Sequence, residues 1–255
     1  MRLATWNVLN GTSLSDGRID VARLQAAARS LHADVLGLQE VDRGQPRSRS
    51  LDLVREVAEG TGAAAWRFLP ALVGTPGGSW RVAADADDDP GGAGYGVGLV
   101  SAHPVRSWHV LRLPAARVRS PILLPGTRRV LWLQDEPRAV LAAVVDGPYG
   151  AMTVASTHLS FLPGWNAVQL RRTVRFLGAL PGPRVLLGDL NMPALPAGAV
   201  SRWRVLGRRP TYPAPEPRVQ FDHVLGTGAL PPVRDVDTPV LPVSDHRPLV
   251  VELAH

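Results

Sequence analysis

Short apolar runs that end abruptly in polar side chains recur along this chain. Ala4-Thr5-Trp6 ends at Asn7, Val35-Leu36-Gly37-Leu38 at Gln39-Glu40, Val154-Ala155-Ser156-Thr157 at His158, and Val185-Leu186-Leu187-Gly188 at Asp189. Runs of this length and aliphatic make-up read as buried strands. The pattern predicts strands at residues 2–9, 34–39, 64–72, 96–101, 105–112, 138–145, 151–157, 184–188, 219–225 and 248–253. Between the first two, Ile19 to Leu31 places Val21, Leu24, Ala28 and Leu31 on one face and predicts an amphipathic helix with Asp16 as its cap. A second helix is expected from Leu51 to Glu59, grouping Leu51, Val54 and Ala58, and a third from Asn166 to Leu180, grouping Leu170, Val174 and Leu177. Strands outnumber helices and often come in adjacent pairs, which points to an α/β fold of two packed sheets with helices outside. No linker splits the chain, so residues 1–255 read as one domain. Gly74–Gly94, rich in Gly and Asp, and Pro210–Pro217, rich in Pro, read as surface loops that could shape a site.

Composition narrows the chemistry. A chain of 255 residues that is 45% hydrophobic can bury a large core. It has no cysteine, which excludes disulfides, a thiolate nucleophile and Cys-based zinc sites. The N-terminus enters a strand at once without the apolar stretch of a signal peptide, and no apolar run reaches the length of a membrane span. The expectation is a cytoplasmic protein, monomeric. The net charge of +6 and pI near 11 suggest a nucleic-acid partner. Every basic residue is arginine, however, and guanidinium raises the pI without adding charge at neutral pH. Arg117, Arg119, Arg128 and Arg129 could track a nucleic-acid backbone or form a solvated face. In either case a positive field attracts phosphate-bearing substrates.

The polar strand ends carry the candidate chemistry. Glu40 could hold a hard cation such as Mg²⁺. Asn7 reads as a turn amide or a ligand-positioning group. In Gly188-Asp189-Leu190-Asn191, glycine permits a sharp turn. Asp189 and Asn191, at alternate positions of an extended turn, would point the same way. Together they could orient a water and accept its proton, or simply cap a turn. Asp222 could accept a hydrogen bond from His246, fixing the imidazole tautomer and favouring the charged form. An imidazolium stabilises negative charge developing on phosphate. His158 is a second candidate phosphate contact. The run Asp85-Ala86-Asp87-Asp88-Asp89-Pro90-Gly91 has some of the acidic spacing of a calcium loop, but its twelfth position is Gly96 and no helices are expected around it.

Taken in order, Thr5-Trp6-Asn7, Leu38-Gln39-Glu40, Ser156-Thr157-His158-Leu159, Gly188-Asp189-Leu190-Asn191, Phe221-Asp222-His223 and Ser244-Asp245-His246 resemble the signature of the endonuclease/exonuclease/phosphatase superfamily. The resemblance spans residues 4–253. It implies a four-layer α/β sandwich: two packed, mainly antiparallel sheets flanked by helices. It also implies phosphoester hydrolysis with Mg²⁺ as cofactor and Mn²⁺ as substitute. Glu40 would be the principal metal ligand, with Asn7 and Asp245 near the metal or bound to it through water. Asp189 would be the base or water-orienting carboxylate, and Asn191 would position phosphate or water. His246 would contact phosphate with Asp222 orienting it, and His158 would donate to a phosphate oxygen. Arg138 stands where relatives have an arginine entering a strand, to contact phosphate or brace the site. Water would attack phosphorus in line, without a covalent intermediate. The substrate expected is a phosphodiester or phosphomonoester of a small molecule or lipid head group. A DNA or RNA nuclease is the alternative, and a non-catalytic basic nucleic-acid-binding module a distant one. Arg247 occupies the place of the cysteine usual in AP endonucleases, which argues against DNA repair. Chain length and the missing leader argue against a secreted sphingomyelinase or DNase.

Overall fold

A computed structural model describes residues 1–88, 92–123 and 130–254, with backbone alone for 119–123 and 130–133. The first half runs β1 (Arg2–Asn7), α1 (Val21–Ser30), β2 (Val35–Arg43), α2 (Leu53–Thr61), β3 (Ala65–Gly74), β4 (Trp80–Val82), β5 (Gly94–Ser101) and β6 (Val105–Leu113). It continues with β7 (Arg119–Leu123), β8 (Val130–Gln134), β9 (Arg138–Gly147), β10 (Gly150–His158), α3 (Trp165–Gly178) and β11 (Arg184–Asp189). The last elements are α4 (Ala194–Ser201), β12 (Arg204–Val205), β13 (Asp222–Thr227), β14 (Val233–Asp237) and β15 (Leu249–Leu253).

Two sheets result, a seven-stranded one ordered β14-β15-β1-β2-β5-β3-β4 and a six-stranded one ordered β12-β13-β11-β10-β9-β6. Alternation along each strand sends successive side chains to opposite faces. In β9, Ala139, Leu141, Ala143 and Val145 join Leu3, Val35 and Leu99 in a core between the sheets, while Val140 and Ala142 pack outward under α3 and α4. On the other side, α1 and α2 cover Ala4, Trp6, Leu36 and Leu38. Both faces of each sheet are therefore buried, which is why the strands read as continuous apolar runs. The outcome is the four-layer α/β sandwich, with antiparallel pairing except at β1–β2 and β10–β11.

Those two parallel pairs position the site. Asn7 pairs with Gln39 and His158 with Asp189, so both pairs end at the same edge of the sandwich. Asp222 opens β13 opposite Asp189, and Asp245-His246 precedes β15, which runs back along β1. A buried polar ladder ties the sheets beneath this edge. Thr5 Oγ1 donates to Gln39 Oε1 (3.1 Å), Gln39 Nε2 donates to Ser156 Oγ (3.1 Å), and Ser156 Oγ donates to the Leu38 carbonyl (3.2 Å).

Several local expectations are corrected. Asp20, not Asp16, caps α1, accepting from Arg23 N; Asp16 instead forms a bidentate pair with the Arg23 side chain. Helix α2 begins only at Leu53, where Asp52 caps it. Strand β13 starts at Asp222, because Val219 makes only an isolated bridge to Tyr212. The Gly74–Gly94 segment is not merely loop: β4 folds back on β3, and Asp85–Asp88 is a 3-10 turn. Its acids pair with arginines, Asp87 with Arg81 at 2.6 Å and Asp88 with Arg112, which uses up the charge a calcium loop would need. Asp89, Pro90 and Gly91 of that run lie outside the described residues, as do Arg128 and Arg129. Helix α4 was hidden by Pro196 and Gly198, and β14 by its polar, exposed sequence.

Gly188 is needed for a reason other than a turn. It lies inside β11, where an added Cβ would sit 2.2 Å from the Thr157 carbonyl oxygen of the neighbouring strand. Gly188→Ala is therefore expected to lower stability by about 1–3 kcal/mol, the usual scale of overpacking. Thermal denaturation should show a melting temperature several degrees below wild type.

Candidate active site

Glu40 does not stand at a strand end. Strand β2 continues to Arg43, and its register against β5 shifts between Gln39 and Val41. Glu40 is the extra residue of this bulge, at φ 54°. A bulge re-aims a side chain out of the sheet. Asn191 (φ 49°) and Ser244 (φ 75°) carry the same left-handed backbone in the two other loops of the site. This conformation is costly for residues other than glycine and persists only where the surrounding structure imposes it.

Asn7 joins the parts. Its Oδ1 accepts from Leu9 N, and its Nδ2 donates to Glu40 Oε1 (3.0 Å) and Asp189 Oδ2 (3.1 Å). In this geometry Asn7 bridges two carboxylates rather than presenting an oxygen to a cation. Ser244 Oγ donates to the Asn7 carbonyl and accepts from His246 N, which pins the last motif to β1.

Asp189 Oδ2 also lies 3.6 Å from His158 Nε2 and 3.8 Å from His246 Nε2. Its Oδ1 accepts from the backbone N of Asn191, so the turn folds back on itself instead of staying extended. Burial pushes the Asp189 carboxyl up to about 7, against the pull of charged His246. Burial also raises Glu40, and Asp245 beside it adds to the shift.

His246 Nδ1 donates to Asp222 Oδ2 at 2.8 Å, the pairing expected from the sequence. Burial opposes the imidazolium, but Asp222, Asp189 and Asp245 outweigh it and push His246 up to about 10. His158 goes the other way: burial, with Arg138 and His246 nearby, holds it well below its usual range and leaves it neutral at pH 7. Both ring nitrogens of His158 face donors, Arg138 Nη1 at Nδ1 (3.3 Å) and Asn191 Nδ2 at Nε2 (3.1 Å), with Asp189 Oδ2 3.6 Å from Nε2. Arg138 thus braces His158, and it lies 4.0 Å from Glu136.

The raised His246 has a consequence for stability. Its contribution is full below its ordinary pKa of 6.5 and is lost as pH rises through about 10. The melting temperature of metal-free protein should fall across that window, and His246→Gln should flatten the fall. Equal slopes for the two proteins would show that the pair contributes nothing.

These groups border a cavity of about 800 Å³ lined by Glu40, Arg138, His158, Asp189, Asn191, Asp245 and His246. Asn7 and Asp222 are buried behind them. Glu40 and Asp245 have no ion-pair partner among the described residues. One potential ligand atom each from Asp189, Asp222 and His246 lies within 4.8 Å of the others, a group that could hold a metal ion. An imidazolium has no free lone pair, so that group binds an ion only with His246 deprotonated.

The sequence profile of the endonuclease/exonuclease/phosphatase family matches residues 4–246. The chain belongs to this family. Among solved structures it is similar to an endonuclease/exonuclease/phosphatase from Beutenbergia cavernae, at 22% identity and TM-score 0.69, over 98% of this chain and 70% of that one. It is also similar to a mannosyl-6-phosphatase from Bacteroides thetaiotaomicron, at 16% identity and TM-score 0.64, over 100% of both chains. A sphingomyelinase C from Streptomyces griseocarneus matches at 16% identity and TM-score 0.60, over 100% of this chain and 99% of that one. At such identities the likeness shows the fold. The near-complete coverage of the sphingomyelinase means that chain length does not set this family member apart from such an enzyme. No curated protein sequence matches the chain.

Sequence reasoning missed part of this family member's site. Trp80, Phe161, Tyr212 and Phe221 line the cavity, and the Tyr212 ring packs on the His246 ring at 4.8 Å between centroids. Arg247, read only as a departure from a motif, donates to the carbonyls of Ala214 (2.7 Å) and Pro215 (3.2 Å) and so anchors the proline-rich loop that carries Tyr212. Aromatic residues in segments without periodicity carry no signal that distinguishes a cavity wall from a loop.

Proposed function

We propose that this chain is a divalent-metal-dependent phosphoester hydrolase in which water attacks phosphorus in line. The observation that carries the reading is Asp189: a buried carboxyl held by Asn7 and Asn191, 3.6 Å from neutral His158 and 3.8 Å from charged His246, with its pKa raised by burial. A general base works best when its pKa lies near the working pH. Asp189 accepts the proton of the attacking water, while Asn191 holds the turn that aims it. His246, kept charged by Asp222, offsets charge on the phosphoryl oxygens, and His158 donates to another.

The donor set fits a hard cation. Glu40 and Asp245 are neighbouring carboxylates; Asp245 adds to the charging cost of Glu40, and neither has a cationic partner in contact among the described residues. All-oxygen sites of this kind suit Mg²⁺ or Mn²⁺. Bound there, the cation would polarise the phosphoryl group and offset charge on the leaving oxygen.

The substrate is taken to be a phosphodiester or phosphomonoester of a small molecule or lipid head group. The test is hydrolysis of aryl phosphoesters in heavy-oxygen water with Mg²⁺ present. Attack at phosphorus puts the label in the phosphate-bearing product. Label in the alcohol, or no hydrolysis with either Mg²⁺ or Mn²⁺, would reject the mechanism.

A further inference from the structure

The motif residues account for one end of the cavity and leave much of its wall unassigned. That wall is aromatic and comes from separate parts of the chain. Trp80 stands on the β3–β4 hairpin, Phe161 in the turn after β10, Tyr212 in the proline-rich loop and Phe221 just before β13. All four are partly exposed, so they keep apolar surface open to the cavity. Tyr212 touches both Phe221, at 5.6 Å between ring centroids, and His246, at 4.8 Å. The wall therefore begins directly against the imidazole assigned to the phosphate. It is also held in place, because Arg247 and the bond from Ala214 N to the Asp245 carbonyl fix the loop that carries Tyr212.

The charges of the cavity point the same way. Its cationic groups, among the described residues lining it, are Arg138 and His246, set against the carboxylates of Glu40, Glu136, Asp189 and Asp245. Arg138 is already committed to His158 and Glu136. A divalent cation with His246 can serve one phosphate. Among the described residues, a second phosphate would meet carboxylates, without the guanidinium forks that recognise polyanions.

We propose that the substrate is a small molecule carrying one phosphoester on a ring-bearing group, that the ring packs against Trp80, Phe161 and Tyr212, and that polyphosphates and nucleic acids are rejected. The inference rests on the hydrolase reading for the phosphate end of the site. The ring subsite itself can be tested without turnover, using phosphonates, whose carbon–phosphorus bond is not hydrolysed by this chemistry.

Titration calorimetry with Mg²⁺ present would compare phenylphosphonate, a hexose 6-phosphonate and methylphosphonate. At least one ring-bearing probe should bind about tenfold tighter than methylphosphonate, the scale of one good ring contact plus its buried area. Which probe gains tells an aromatic substrate from a sugar. Trp80→Ala and Phe161→Ala should shrink the gap to about threefold or less, while Trp80→Phe and Phe161→Leu should retain most of it. Circular dichroism checks that each variant is folded, and the wild-type comparison needs no variant at all. Equal binding of all three phosphonates would overturn the inference. So would a single-stranded DNA oligonucleotide or inositol hexakisphosphate binding more tightly than the ring-bearing probes. A ring preference in a protein that hydrolyses no phosphoester would reject the hydrolase reading and leave the subsite standing.

Discussion

Asp189→Asn is expected to lower kcat by about a hundredfold or more, the scale of losing a general base. The substitution is nearly isosteric, so the fold should survive. The hydrogen-bond pattern indicates what else changes. An asparagine oxygen can still accept from Asn191 N, but its amide nitrogen would face Asn7 Nδ2, donor against donor. One lost bond of this kind costs about 1 kcal/mol of stability, far less than the kinetic effect requires. His246 would also lose one of the carboxylates that hold it charged, so its pKa should drop in the variant. Single-turnover kinetics and proton NMR of the histidines read the two effects separately. A variant with near-wild-type kcat would return Asp189 to the role of a turn cap.

Removal of divalent cations is expected to abolish turnover, and Mg²⁺ or Mn²⁺ to restore it. Full activity after exhaustive chelation would reject the metal dependence. Stability gives an independent readout. Burial and Asp245 both raise Glu40, so its charge opposes folding of the metal-free protein. Glu40→Gln should therefore raise the metal-free melting temperature. The same variant should lose the rise that Mg²⁺ produces in wild type, because a ligand stabilises only as far as it binds. Its metal affinity should fall by at least about tenfold, since even outer-shell changes reach that scale. An unchanged Mg²⁺-induced rise in Glu40→Gln would move the metal away from Glu40.

The strands at the heart of the sandwich were legible because both faces of each sheet are buried. Val185-Leu186-Leu187 and Val35-Leu36-Gly37-Leu38 cannot be solvent-exposed, whatever the topology. The strand ends were legible for the converse reason. Asn7, His158 and Asp189 are polar groups that terminate apolar runs, and they sit where the buried ladder stops. Elements at the periphery were not legible. Strand β14 alternates exposed charges, and α4 carries a proline and a glycine, so tertiary contacts rather than local preference hold them.

The site divides along the same line. The sequence by itself determined which chemical groups are present, their order, and the family they belong to, because residue type and spacing are local properties. It also offered the Asp222–His246 pairing as an expectation, since a carboxylate accepts from an imidazole and favours its charged form. Only the tertiary structure decided the rest. The bulge that turns Glu40 out of β2 depends on its register with β5. The role of Asn7 as a bridge depends on two sheets bringing Glu40 and Asp189 within reach of one amide. The opposite charge states of His158 and His246 depend on burial and on which neighbours converge, and no strand pattern records these. The aromatic wall is assembled from a hairpin, a turn and a proline-rich loop far apart in the chain. Periodicity reports whether a residue faces a core; which distant residue it meets there is set by how the layers pack.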